Sequence, residues 1–192
     1  GAGSKSGFAV SEKGDGGKAG YMDVTALNFF AGYNAGKTTT GDNNTFVGNN
    51  AGLANTNGSS NVILGTSAAK EAKRMNRTIA IGEQAGWGSE DTESSDNVFI
   101  GFKAGHANKN GLNNVFLGNE AGYANTEGNY NLFLGNNAGK LLTNGSYNVM
   151  LGDNAGGKSN GDYNILIGSD AGSITTGNSN VMIGVLINAF VV

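Results

Sequence analysis

Along most of the chain the large apolar residues come in threes. Each triplet follows a polar residue and precedes a glycine, as in "NVFLGNEAG" from Asn114 and "NLFLGNNAG" from Asn131. Aligning that glycine gives Gly32, Gly48, Gly65, Gly82, Gly101, Gly118, Gly135, Gly152, Gly168 and Gly184, in steps of 16, 17, 17, 19, 17, 17, 17, 16 and 16 residues. A period this short and steady is the mark of a solenoid, each copy forming one coil. The triplets are β-branched and aromatic, as strands prefer. A helical unit would instead carry several interior glycines, at about 1 kcal/mol each. The pattern predicts an all-β, parallel β-solenoid (β-roll) of about ten coils, 16–19 residues each, over residues 28–184. Each coil is expected to hold two short strands and two bends. At about 4.8 Å per coil the rod would be roughly 45 to 50 Å long.

The other positions of the unit have physical roles. Asn28, Asn44, Asn61, Asn97, Asn114, Asn131, Asn148, Asn164 and Asn180 precede the triplets, with only Thr78 interrupting the column. Stacked coils would align these amides in a ladder, each able to donate and accept. The glycine after the triplet suits a corner. Ala-Gly follows, as in Ala104-Gly105 and Ala121-Gly122, where a narrow coil admits only small side chains. A polar turn then closes the unit.

The middle residue of the triplet sets the main expectation. In a strand, side chains alternate between faces, so with the first and third residues (Val62 and Leu64, or Val98 and Ile100) inside, the middle ones point out. That column is Phe30, Phe46, Ile63, Ala80, Phe99, Phe116, Phe133, Met150, Leu166 and Met182. Five phenylalanines at about 150 Å² each approach roughly 750 Å², more than a soluble monomer normally exposes in one patch. The expectation is a parallel homotrimer with Phe30, Phe46, Ile63, Phe99, Phe116, Phe133, Met150, Leu166 and Met182 on its axis.

Composition narrows the function classes. The 192 residues include 34 glycines, one histidine (His106), no proline and no cysteine, with a net charge of −3. Nucleic-acid binding relies on neutralising phosphates with Lys and Arg, so nucleic acid is not an expected partner. No apolar run reaches transmembrane length, and direct membrane insertion is not expected. Without a Cys-His pair or a histidine cluster, no catalytic centre, metal or cofactor is expected. "GDGGKA" (residues 14–19) matches a dinucleotide-loop variant but lacks the flanking strand and helix. Asp153, Asp162 and Asp170 recur at no calcium-ligand spacing and read as solvated turn residues.

Two surface columns stand out. Tyr130, Tyr147 and Tyr163 precede the ladder asparagine in three successive copies; Trp87, His106 and Tyr123 follow Ala-Gly in another three. Each reads either as an aromatic stack bracing neighbouring turns or as a platform for a glycan or protein partner. The irregular third and fourth copies carry Lys70, Lys73, Arg74 and Arg77 against Glu90, Asp91, Glu93 and Asp96. These are either opposite charges on adjacent turns, worth about 0–1 kcal/mol per exposed pair, or a protruding contact loop.

The phrases "NVFLGNEAG", "NTFVGNNAG", "NVMLGDNAG" and "NILIGSDAG" resemble the YadA-like head repeats of trimeric autotransporter adhesins and the repeat segments of trimeric phage tail fibres. The resemblance implies an elongated, trimeric, extracellular or cell-surface fibre. The expected partners are the chain itself and a host surface or glycan. The Gly-rich segment 1–27 reads as an assembly or linker region, and the apolar segment 185–192 as a docking or capping strand. Phe8, Val10, Leu186, Ile187, Phe190 and Val191 are the candidates for joining trimers end to end into a filament by strand addition. The competing class is an ice- or carbohydrate-binding module, for which Thr40, Thr56, Thr126, Thr143 and Thr176 supply only a broken threonine row.

Overall fold

The computed structural model describes residues 8–9, 12–14, 18–20, 22–88 and 93–186. Its strands are β1 (Phe8–Ala9), β2 (Glu12–Gly14), β3 (Lys18–Gly20), β4 (Met22–Val24), β5 (Phe29–Ala31), β6 (Thr45–Val47), β7 (Val62–Leu64), β8 (Arg74–Asn76) and β9 (Ile79–Ile81). They continue as β10 (Glu93–Ser95), β11 (Val98–Ile100), β12 (Val115–Leu117), β13 (Leu132–Leu134), β14 (Val149–Leu151), β15 (Ile165–Ile167) and β16 (Val181–Ile183). Every apolar triplet is a strand, and the strands stack in parallel as a β-solenoid within one twelve-stranded sheet. Register is residue for residue: Phe99 pairs with Phe116, Phe116 with Phe133, and Phe133 with Met150.

The asparagine column forms the expected ladder, inside the coil. Asn114 Nδ2 donates to the Gly128 carbonyl at 2.8 Å, and its Oδ1 accepts the Asn131 amide at 3.0 Å. The same two bonds recur at Asn131, which donates to Gly145 O (2.8 Å) and accepts from Asn148 N (2.9 Å). Each buried amide thereby ties its own coil to both parts of the next, which meets the requirement that buried polar groups be partnered.

Alternation then reverses the expectation for the triplets. With Asn114 inside, Val115 points out, Phe116 points in and Leu117 points out. Phe116 is 0% exposed and Leu117 44%. The whole column assigned to an oligomer axis, Phe30, Phe46, Ile63, Phe99, Phe116, Phe133, Met150, Leu166 and Met182, is instead the buried core of the single chain. The coil is thin, and one large side chain fills it. A Cβ on Gly122 would lie 2.5 Å from Phe116 Cε2, and one on Gly105 2.5 Å from Phe99 Cδ1. Two inward residues per triplet would have no space. The rings stack along the axis, Phe99 to Phe116 at 5.4 Å and Phe116 to Phe133 at 4.7 Å.

Corners require glycine because coils touch there. At Gly118, where φ is +141°, a Cβ would come within 2.6 Å of the Gly135 carbonyl carbon. The wall opposite the triplets is not a second strand in each coil, contrary to the sequence expectation. Glu120 (φ 53°) and Gly122 (φ 59°) both adopt left-handed backbone, which bends this segment too tightly to be extended. Coil-to-coil hydrogen bonds persist there, as from Gly122 N to Ala138 O (2.9 Å) and Ala124 N to Lys140 O (2.9 Å). On the turn arm, among the described residues, β8 and β10 of the irregular copies pair as a short parallel sheet, and Asn160 and Thr176 form an isolated parallel bridge.

At the N-terminal end, β4 pairs antiparallel with β5, and β1 antiparallel with β4. Part of segment 1–27 thus extends the main sheet and covers the edge of the first coil. Phe8 belongs to β1; Val10, Ile187, Phe190 and Val191 lie outside the described residues. Leu186 is exposed and its amide donates to Ser169 O at 2.9 Å.

Candidate functional site

The outward residues of the triplets, expected from the sequence in the core, form two apolar columns. The first column is Phe29, Thr45, Val62, Ile79, Val98, Val115, Leu132, Val149, Ile165 and Val181; the third is Ala31, Val47, Leu64, Ile81, Ile100, Leu117, Leu134, Leu151, Ile167 and Ile183. Thr45 and Ala31 alone are not large and apolar. All are exposed or half-exposed on the single chain. Parallel in-register pairing keeps each column straight, so they make a strip about 7 Å between columns and roughly 45 Å long. With its margins this is about 450 Å² in projection, a scale at which apolar patches on soluble chains are often functional.

The aromatic candidates form two separate stacks. Tyr130, Tyr147 and Tyr163 lie 5.0 and 4.9 Å apart with interplanar angles of 6° and 1°. All three have left-handed backbone, φ 56–58°. In the same position of earlier copies, Arg77 makes a bidentate ion pair with Asp96, Nε to Oδ1 at 2.6 Å and Nη2 to Oδ2 at 2.7 Å. Those hydrogen bonds hold the Asp96 carboxyl below its ordinary pKa and raise that of Arg77. The left-handed turn position therefore stacks matched groups from coil to coil, whether charged or aromatic.

The second stack runs from Lys70, whose Nζ lies 4.8 Å from the Trp87 ring, through Trp87 and His106 (5.6 Å) to Tyr123 (5.0 Å). Glu120 binds Lys140 Nζ beside it at 2.5 Å. Burial in this stack, reinforced by Lys103, lowers the His106 pKa, and Glu120 opposes the shift. His106 is thus held toward the neutral imidazole.

Stacking decides what these columns can offer a ligand. In both, ring faces meet neighbouring rings along the solenoid axis, so the inner rings present edges and polar tips to solvent. Sugar stacking uses an open aromatic face, and the inner rings Trp87, His106 and Tyr147 have both faces covered. The threonine row is likewise engaged: Thr40 Oγ1 donates to Thr56 O, Thr56 Oγ1 to Lys73 O and Thr126 Oγ1 to Asn144 Oδ1, at 2.9, 3.1 and 2.7 Å.

Among the described residues no group of three or more His, Cys, Asp or Glu side chains is placed to hold a metal ion, and no helix is long and apolar enough to cross a membrane. Asp153 and Asp170 instead accept from Asn136 (2.9 Å) and Asn154 (2.5 Å) in the preceding coils. The apolar strip was the feature hidden from the sequence reading, although the buried asparagine ladder was the signal that would have found it. Comparisons with protein-family models, with characterised proteins and with solved structures gave no match.

Proposed function

We propose that the chain is a structural and adhesive fibre protein of the extracellular or cell surface, built as a parallel homotrimer through its outer apolar strip. The observation that supports this reading is the continuity of that strip along all the stacked triplets. Full burial of a large aliphatic side chain is worth about 1.5–3 kcal/mol. Half of that, over nearly every coil, exceeds about 10 kcal/mol, enough to offset much of the roughly 4–15 kcal/mol cost of association.

A second copy is the matching occupant because it repeats the same columns at the same spacing over the same length. Three copies suit two columns: around a threefold axis, the first column of one protomer faces the third column of its neighbour, and each protomer has two neighbours. The resemblance of "NVFLGNEAG" to trimeric adhesin and tail-fibre repeats points the same way. In this reading the stiff solenoid holds a contact surface away from its point of attachment. Light scattering coupled to size exclusion tests it. The expected mass is three times the 19.5 kDa chain, and a monodisperse monomer at micromolar concentration overturns it.

A further inference from the structure

Four Asn-Gly steps lie in the turn arms: Asn57-Gly58, Asn110-Gly111, Asn144-Gly145 and Asn160-Gly161. All four asparagines are exposed, but their surroundings differ. Three residues before Gly58 stands Asn55, whose Oδ1 accepts the Gly58 N–H at 2.9 Å. Three residues before Gly145 stands Leu142, fully buried and without an acceptor. Among the described residues the N–H groups of Gly111, Gly145 and Gly161 all meet no acceptor, so Asn57 alone has its attacking nitrogen engaged, and Asn144 differs from Asn110 and Asn160 in its side-chain contact. Asn144 Oδ1 also accepts a hydrogen bond from Thr126 Oγ1, in the preceding coil, at 2.7 Å. Asn57 Oδ1 instead meets the hydroxyl of its own chain neighbour, Thr56, at 3.5 Å.

We propose that Asn144 is a site of spontaneous deamidation selected by the fold. Gly145 is buried, so its amide nitrogen loses its proton to hydroxide when the turn opens to solvent, and then attacks Asn144 Cγ. The Thr126 hydroxyl, already on Oδ1, stabilises the developing oxyanion in the manner of an oxyanion-hole donor. The Cγ–Nδ2 bond breaks, the nitrogen takes up a proton and leaves as ammonia, and a cyclic imide remains. Water then opens either imide carbonyl, giving aspartate or isoaspartate; the net change is asparagine plus water to the acid plus ammonia. At Asn57 the attacking nitrogen is engaged with Asn55, and the first step is suppressed.

The product bears on the ladder. Gly145 O is the acceptor for Asn131 Nδ2, and isoaspartate adds a methylene to the main chain immediately before Gly145. Modification at Asn144 thus acts on a buried bond that joins two coils.

Incubation of the folded protein at pH 8 and 37 °C, followed by peptide mapping by mass spectrometry, tests the proposal. Asn144 is expected to convert at least 5-fold faster than Asn57, with both rates converging in 8 M urea. Thr126→Val, which removes the hydroxyl from Asn144 Oδ1, should slow Asn144 at least 3-fold without changing Asn57. Equal rates at Asn144 and Asn57 in the folded protein, or the same ratio in urea, would overturn the proposal. Circular dichroism of the variant confirms that slowing is measured on folded chain.

Discussion

Coils 3 and 4, strands β7 and β9, keep the corner glycine and the small alanine of coils 6 and 7, strands β12 and β13, but differ in the core residue and in what faces it. In the regular coils a phenylalanine faces a glycine: Phe116 over Gly122, Phe133 over Gly139. In coil 3 the smaller Ile63 leaves space, and Ala69 takes the glycine position with φ 48°. In coil 4 Ala80 leaves more, and Met75 from the turn arm fills it, its Cε 3.5 Å from where a Gly86 Cβ would stand. Thr78 replaces the ladder asparagine, and its bond to Asn97 N stretches to 3.4 Å. What the repeat preserves is the filled volume of the coil and the continuity of the ladder. The identity of each residue is negotiable when its partners change with it.

That contrast can be broken most severely in the core. Phe116→Ala should cost about 3–5 kcal/mol in urea unfolding. Its mirror, Ala80→Phe, should also destabilise, by about 1–3 kcal/mol, because Met75 occupies the space. Combining it with Met75→Ala should recover at least about 1 kcal/mol of coupling in a double-mutant cycle. Gly122→Ala should cost about 2–3 kcal/mol from the ring contact and the left-handed backbone, whereas Ala69→Gly, at the equivalent position of coil 3, should change stability by less than about 1 kcal/mol. Asn114→Ala strands the Gly128 carbonyl and the Asn131 amide and should cost about 1–3 kcal/mol; Thr78→Asn should be neutral or stabilising.

The smallest effect concerns pH. The folded-state pKa of His106 is lowered, so the folded chain binds fewer protons than the unfolded chain between the lowered value and about 6.5. The contribution of neutral His106 is complete above about pH 6.5 and is lost as pH falls through the lowered value. His106→Gln should flatten the slope of stability against pH in that window, measured by urea midpoints at a series of pH values, without altering stability at pH 8 to a comparable degree.

The period, the triplet strands, the glycine corners and the asparagine ladder were legible in the sequence, because each repeats in register and has a local physical cause. Which face of the triplet is inside was not. A run of three apolar residues is consistent with either alternation, and hydrophobicity alone favours burying two of the three. The deciding fact is the thinness of the coil, expressed in Gly122 against Phe116, and the inward Asn114, a polar residue at a position the eye assigns to the surface. Both aromatic columns were legible, and stacking was one of the two readings they allowed; sequence gives spacing along the axis and not ring orientation, which decides between stack and open platform. The antiparallel addition of β4 and β1 at the first coil was invisible for a related reason: neither segment shares the repeat.

The central claim, that the middle residue of each triplet makes the coil and its neighbours make the assembly, is tested most directly by the solution mass of outward variants. Val115→Asp with Leu134→Asp should give a chain with the parent's β circular dichroism and the mass of one protomer, while the parent elutes as three. Retention of the parent's oligomeric mass by that variant, or its unfolding in the manner of Phe116→Asp, would contradict the account.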